Sequence, residues 1–473
     1  MTEKKQSTVF AFIIITVLFF LWGGITSIND VLIDNYKTLH ELTDLQSMYI
    51  LLAFFGAYGI GSFAYYLYSQ SYGDPINKLG YKKGILMGLF VAGIGCLSLY
   101  PLSATGNYYA CLSSFFVIGL GLTLLQISCN PYIAILGSDD SASSRLNLSQ
   151  GFNSLGTTVG PLIAGYLILS YASKTAAIQD LYLYCGILFF LFAFLLLGIK
   201  LPDYKSTEAV KLEGSAFQFS HLKAGMLAIF FYVGAEVMIG GKIMAYIKLP
   251  EIGHLSQSDA VSYLGIYWGG AMIGRLAISV ISSRKFDLTK KIFYGFITVL
   301  ITYLAIVLFI STKEIISAAD AGAQTNGVIS IFKETFYEIR YIGWFIAIQF
   351  ILMLVFRKSS GKLLGIFAAL IIASLLIAFF VEGKIALWCI LGIGLFNSIM
   401  WSNIFTLSIV GLNEYTSQGS SLLIIMIIGG AILPLGMGWL SDTFESIKIG
   451  FIFPIISYLY ILYFGLYGSR TKH

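Results

Sequence analysis

Apolar runs of about 20 residues recur along almost the whole chain, each closed by a charged or turn-rich break. That is the length needed to cross the hydrocarbon of a bilayer. A water-soluble fold would have to bury nearly all of these side chains in one core of 473 residues. With 57% hydrophobic and 11% charged residues and a mean hydropathy of +0.83, the composition lies outside the soluble range. The solvent for most of this chain is lipid, and the expected fold class is an all-α polytopic membrane protein.

The formal charge of +5 is small for this length and does not point to nucleic acid as a partner. Five cysteines (Cys96, Cys111, Cys129, Cys185, Cys389) stand singly in or beside apolar segments and read as small core residues. Four histidines (His40, His221, His254, His473) lie in polar segments or at the terminus without ligand spacing, so neither a metal site nor a cofactor is expected. Lys4 and Lys5 precede an apolar run that continues past Trp22 without a small-residue cleavage motif, which reads as a retained first helix.

Six spans are expected in the first part, near 9–33, 45–68, 84–101, 108–136, 146–169 and 181–201. The segment 202–223, with Asp203, Lys205, Glu208, Lys211, Glu213 and His221, reads as a polar linker between two membrane halves. Eight spans follow, near 224–247, 261–281, 292–311, 341–356, 363–381, 385–410, 420–440 and 449–467, making fourteen. The stretch from Thr312 to Arg340, with Gly322, Gln324, Thr325 and Asn326, reads as an exposed polar loop. The clusters Lys78/Lys82/Lys83, Lys200/Lys205/Lys211/Lys223, Arg284/Lys285/Lys290/Lys291 and Arg357/Lys358/Lys362 all face the cytoplasm if the N-terminus does, so both termini are expected inside.

The halves echo each other. GLGLTLLQISCNPYIAILG from Gly119 aligns without gaps on GIGLFNSIMWSNIFTLSIV from Gly392, matching Gly121 to Gly394 and Asn130 to Asn403. Ser149-Gln150-Gly151 likewise answers Ser417-Gln418-Gly419, and Gly23 answers Gly234. Parallel repeats of this kind place a substrate site near the midplane between two rocking halves.

Ionisable groups inside lipid cost about 2.5–3.5 kcal/mol each at a helix centre, so each is a functional candidate. Glu236, in FFYVGAEVMIGG, and Asp30, in INDVLID, are the candidates for carrying a coupling cation. For Glu236 the structural alternative is pairing with Lys242 or Arg275; Arg275 itself reads as a brace or gating element. Gln126 and Asn130 share one helix face, Gln150, Asn153 and Thr157 another, and Asn397 and Trp401 repeat the four-residue spacing. Amides donate to and accept from sugar hydroxyls, and an aromatic face covers the apolar side of a pyranose; the alternative for any one amide is bonding between helices. Pro131 after Asn130 removes a backbone hydrogen bond, and the Gly156/Gly160 spacing permits close helix contact. SSGKLL near Lys362 lacks the pattern of a phosphate loop, which leaves an ion or substrate gradient as the energy source.

These stretches resemble the fucose, glucose and galactose symporters of the major facilitator superfamily over nearly the whole chain. The resemblance is carried by FFLWGGITSINDVLI, AFFGAYGIGSF, CNPYIAILG, SSRLNLSQGFNSLGTTVGPL, FYVGAEVMIGG, GLFNSIM and GGAILPLGMGWLSD, and more weakly by GDPINKLGYKK. It implies that Asn29 and Asp30 match a first-helix Asn-Asp tied to proton coupling, that Gln150 and Asn153 face the central cavity, and that Glu236 marks the glucose/galactose branch. The chain departs from the pattern at Gln126, where fucose permeases carry a glutamate, at Asn77 in place of Asp, and at Trp401-Ser402-Asn403 in place of Phe-Pro-Thr. The family has twelve helices, so about 284–359 resembles an inserted helical pair.

The expectation is therefore an N-terminal six-helix half (1–201), a cytoplasmic linker (202–223) and a C-terminal half (224–473) in a cytoplasmic membrane. Such a chain would import a hexose such as glucose or galactose by proton or sodium symport. Fucose or N-acetylglucosamine as cargo, an uncoupled facilitator, and a membrane-embedded sensor or enzyme are the alternatives.

Overall fold

The computed structural model describes residues 2–72, 75–137, 142–202, 215–283, 286–320, 325–412 and 415–470. Fourteen helices among them are long and apolar enough to cross a membrane. The first six are α1 (Thr8–Leu39), α2 (Asp44–Ser69), α3 (Tyr81–Ala104), α4 (Tyr108–Ile133), α5 (Leu148–Ser170) and α6 (Lys174–Gly198). Then come α7 (Ser220–Ile247), α8 (Gln257–Ile281), α9 (Leu288–Thr312) and α10 (Ile329–Val355). The last four are α11 (Ser360–Phe380), α12 (Gly383–Ile409), α13 (Gln418–Thr443) and α14 (Ile447–Gly468).

Packing repeats between the halves. In the first, α1 lies on α5, α2 on α4, and α3 on both α4 and α6; in the second, α7 lies on α13, α8 on α12, and α11 on both α12 and α14. This correspondence skips α9 and α10, which form an inserted pair against α8 and α12. Burial agrees: 83% of the apolar window of α12 is buried, against 22% of that of α10. The halves meet along α5 and α8, α2 and α13, and α1 and α7.

Two expectations need correction. The segment from Thr312 to Arg340 is not a loop: the helix of α9 runs on to Asp320, and Thr325–Glu338 is helical and continues through a tight turn into Ile342–Val355. Its charges mislead because an amphipathic helix carries them beside a packed side. Lys333 and Glu334 are exposed, while Ile331, Thr335 and Ile339 turn inward at four-residue spacing. Gly322 and Gln324 lie outside the described residues. The second correction concerns His221, which is not in the linker but in the first turn of α7, buried, with Nε2 2.9 Å from the Val410 carbonyl oxygen. Of the expected linker, residues 203–214 lie outside the described residues, and Ala216–Gln218 form a short 3-10 turn before α7.

Glycine sets the tightest helix contact. A methyl group at Gly156 would stand 2.0 Å from the Phe20 carbonyl oxygen, and one at Gly160 2.5 Å from that of Gly24. The backbones of α1 and α5 therefore touch directly, as small-residue spacing permits. Gly156→Val is expected to cost roughly 3 kcal/mol, because the obstacle is backbone that no rotamer change removes. A thermal unfolding midpoint in detergent equal to wild type would contradict this.

Candidate functional site

Near the middle of the bundle, α7 and α8 turn a polar face toward α12. Tyr232 Oη donates to Glu236 Oε1 at 2.7 Å, one helical turn on, and also to the Asn397 carbonyl at 3.3 Å. Asn397 Nδ2 donates to Tyr267 Oη at 3.1 Å, and Asn397 Oδ1 accepts from Tyr458 Oη at 2.7 Å. Two tyrosines thus hold the Asn397 side-chain amide and a third its backbone carbonyl, each tyrosine from a different helix, and all four side chains are buried.

Arg275 connects this network to the other half. Its Nη2 lies 3.7 Å from Glu236 Oε1, its Nη1 donates to Ser154 Oγ on α5 at 2.7 Å, and its Nε approaches the Ser398 carbonyl at 3.4 Å. The side chains of Glu236 and Arg275 keep 14% and 16% of their surface exposed, whereas Asn397 keeps 1%. The pair is thus the least enclosed part of the network. A second bond between the halves is Trp268 Nε1 donating to Asp30 Oδ2 at 2.9 Å. Asp30 reaches in over Gly240, where a methyl group would lie 3.1 Å from Oδ2.

The structure brings Glu236, Arg275 and Asn397 together and sets Asp30 against α8. Lys242, the other partner considered for Glu236, binds Asp44 instead. Other residues singled out in the sequence do different work. Asn153 Nδ2 donates to the Phe19 carbonyl at 3.0 Å, joining α5 to α1. Asn29 Oδ1 accepts from Tyr182 at 3.2 Å, while its Nδ2, like Asn130 Oδ1, is buried without a partner among the described residues. Gln126 is buried, Gln150 half-buried, and Trp401 stacks on Phe405 with ring centroids 6.1 Å apart. Pro131 is exposed, and its helix runs past it to Ile135.

The pole where α1 ends is tied shut by charges. Lys248 Nζ lies 2.8 Å from Asp34 Oδ2, Lys242 and Lys37 both bind Asp44, and Asp442 accepts the backbone N–H groups of Asp44 at 2.7 Å and Leu45 at 2.8 Å. These contacts join α1 and α2 to α7 and α13. The sequence signal for these ties is Asp and Lys at the ends of facing helices.

Two pseudo-symmetric six-helix bundles closed on a buried polar cluster are the build of a membrane transporter, not of an enzyme. The family model described as Major Facilitator Superfamily matches residues 7–371. The glucose/galactose transporter of Brucella abortus (strain 2308) is 36% identical over 99% of this chain and 97% of its own. The L-fucose-proton symporter of Escherichia coli (strain K12) is 28% identical over 99% and 95%. A solved structure of the transporter FucP in its outward conformation has a TM-score of 0.64 at 25% identity, covering 98% of this chain and 100% of that one. The chain belongs to the major facilitator superfamily.

Proposed function

We propose that this chain imports a hexose, glucose or galactose, across a bacterial cytoplasmic membrane by cation symport. The observation that carries the reading is the Glu236–Arg275 pair, the least buried part of an otherwise enclosed network. A carboxylate that loses its charge on binding a proton weakens its hold on the guanidinium, so ion occupancy bears on a group shared by both halves. The name of the 36% identical relative supports glucose or galactose over fucose. Asp30 is the second carrier in this reading. The amides of Asn29, Gln126, Asn130, Gln150, Asn153 and Asn397, with Trp401, form the sugar-binding set, several of them freed from their present partners as the halves move. Both termini face the cytoplasm, with the half-to-half boundary between the end of α6 at Gly198 and the start of α7 at Ser220.

Uptake of labelled glucose, galactose, N-acetylglucosamine and fucose into vesicles, under an imposed proton or sodium gradient, tests it. Accumulation of glucose or galactose under one gradient is expected. Equilibration without accumulation would leave a facilitator, and accumulation of fucose alone would overturn the cargo.

A further inference from the structure

The inserted pair reaches into the site through one side chain. Helix α12 is interrupted in mid-span: it runs helically from Gly383 to Asn397 and resumes at Met400, with a turn at 398–399. Such a break frees carbonyl oxygens where lipid offers no hydrogen bonds, so each needs a partner from protein. The Asn397 carbonyl takes Tyr232 from α7, and the Ser398 carbonyl takes Arg275 from α8. The Leu395 carbonyl, which already accepts the Ser398 backbone N–H at 3.2 Å, takes Gln349 Nε2 from α10 as a second donor. The same amide nitrogen lies 3.0 Å from Ser398 Oγ, and Gln349 is 1% exposed. Space at this junction is made by Gly274, beside Arg275, where a methyl group would stand 2.1 Å from Ser398 Oγ and 2.3 Å from Gln349 Nε2.

We infer that Gln349 is a positioning residue for transport: the inserted pair holds the break in α12 and thereby fixes where Asn397 and Arg275 stand. This makes α9 and α10 part of the machinery instead of a lipid-facing addition. A buried amide amid IGWFIAIQFILMLV has no reason to stand there for packing alone, since methionine fills the same volume without a polar group to satisfy. The inference rests on the sugar-transport reading for its kinetic readout, and not for its structural one.

The test compares wild type, Gln349→Met and Ser398→Ala in vesicles by glucose counterflow, and in detergent by hydrogen exchange of the backbone amides over 395–403. Gln349→Met is expected to raise KM roughly tenfold or more, with a smaller change in maximal rate, and to speed exchange in that segment while α11 is unaffected. Ser398→Ala, the milder change, is expected to raise KM about threefold, and the double variant to fall short of the combined effects because one junction is being broken twice. Wild-type KM and wild-type exchange in Gln349→Met would overturn the inference, leaving α10 as filler. Should Gln349→Met not reach the membrane intact, an unchanged exchange profile in Ser398→Ala overturns it equally. Absence of counterflow in the wild type would defeat the transport reading instead, and exchange over 395–403 would still decide the role of Gln349.

Discussion

In Glu236→Gln, gradient-driven accumulation of sugar is expected to vanish while exchange of sugar across the membrane at equal pH continues. A proton falling through 100 mV supplies about 2.3 kcal/mol, enough for roughly 50-fold accumulation of a neutral solute, so the expected fall is from that ratio to about one. The amide keeps the shape of the carboxyl and still accepts from Tyr232 Oη, which sits 2.7 Å from Oε1, so folding should survive. What is lost is the ability to take up and release a proton beside Arg275, whose Nη2 stands 3.7 Å away. Parallel measurement of steady-state accumulation and counterflow separates the two. Undiminished accumulation in the variant would remove Glu236 from the coupling route and leave Asp30 as the carboxylate to examine.

The second large effect is expected at the charged pole. Lys242 is 1% exposed, and its Nζ is shared between Asp44 and Ser47 Oγ, 3.2 Å away. Lys242→Met keeps the apolar stem and removes the charge. Breaking a buried pair from one side typically costs 3–5 kcal/mol, but Asp44 retains Lys37, itself one-third exposed, so about 2 kcal/mol is the expected loss. That corresponds to roughly a 30-fold shift away from the closed pole. Leu51→Cys, in a background lacking the native cysteines, reports it, because Leu51 is buried against the backbone of α7 at Gly241. Reaction with an impermeant maleimide from that side should speed up by about the same factor. Equal rates with and without Lys242 would mean the pole is held by apolar contacts and not by charge.

The spans were legible because lipid dictates them: a backbone with no water must close its hydrogen bonds within the helix, and only a long apolar run can do so. The repeated Gly and Asn positions also revealed two related halves. Which face of each helix turns inward was not legible. In a bilayer the outside of a helix is as apolar as its packed side, so α8 and α10 read alike although 72% of one window and 22% of the other are buried. For that reason Glu236 and Arg275 stood out as charges, while Tyr232, Tyr267, Tyr458 and Trp268, which orient Glu236, Asn397 and Asp30, passed as ordinary aromatics. Gln349 is open to the rule applied to the other amides, but it lies in the segment that resembles an insertion and has no counterpart in the repeat to point to it. Between Thr312 and Arg340 counting charges misleads where spacing does not, since Ile331, Thr335 and Ile339 recur at four-residue intervals on the packed side while Lys333 and Glu334 face out.

At the pole where α1 ends, any movement that parts the halves also sorts the charges. Asp34, Asp44 and Lys37 go with the first half and carry one net negative charge; Lys242, Lys248 and Asp442 go with the second and carry one net positive charge. These six groups are therefore neutral together but polarised from wall to wall, with their field lying across the opening. A neutral, strongly dipolar polyol passing between the two walls meets a preferred orientation on arrival.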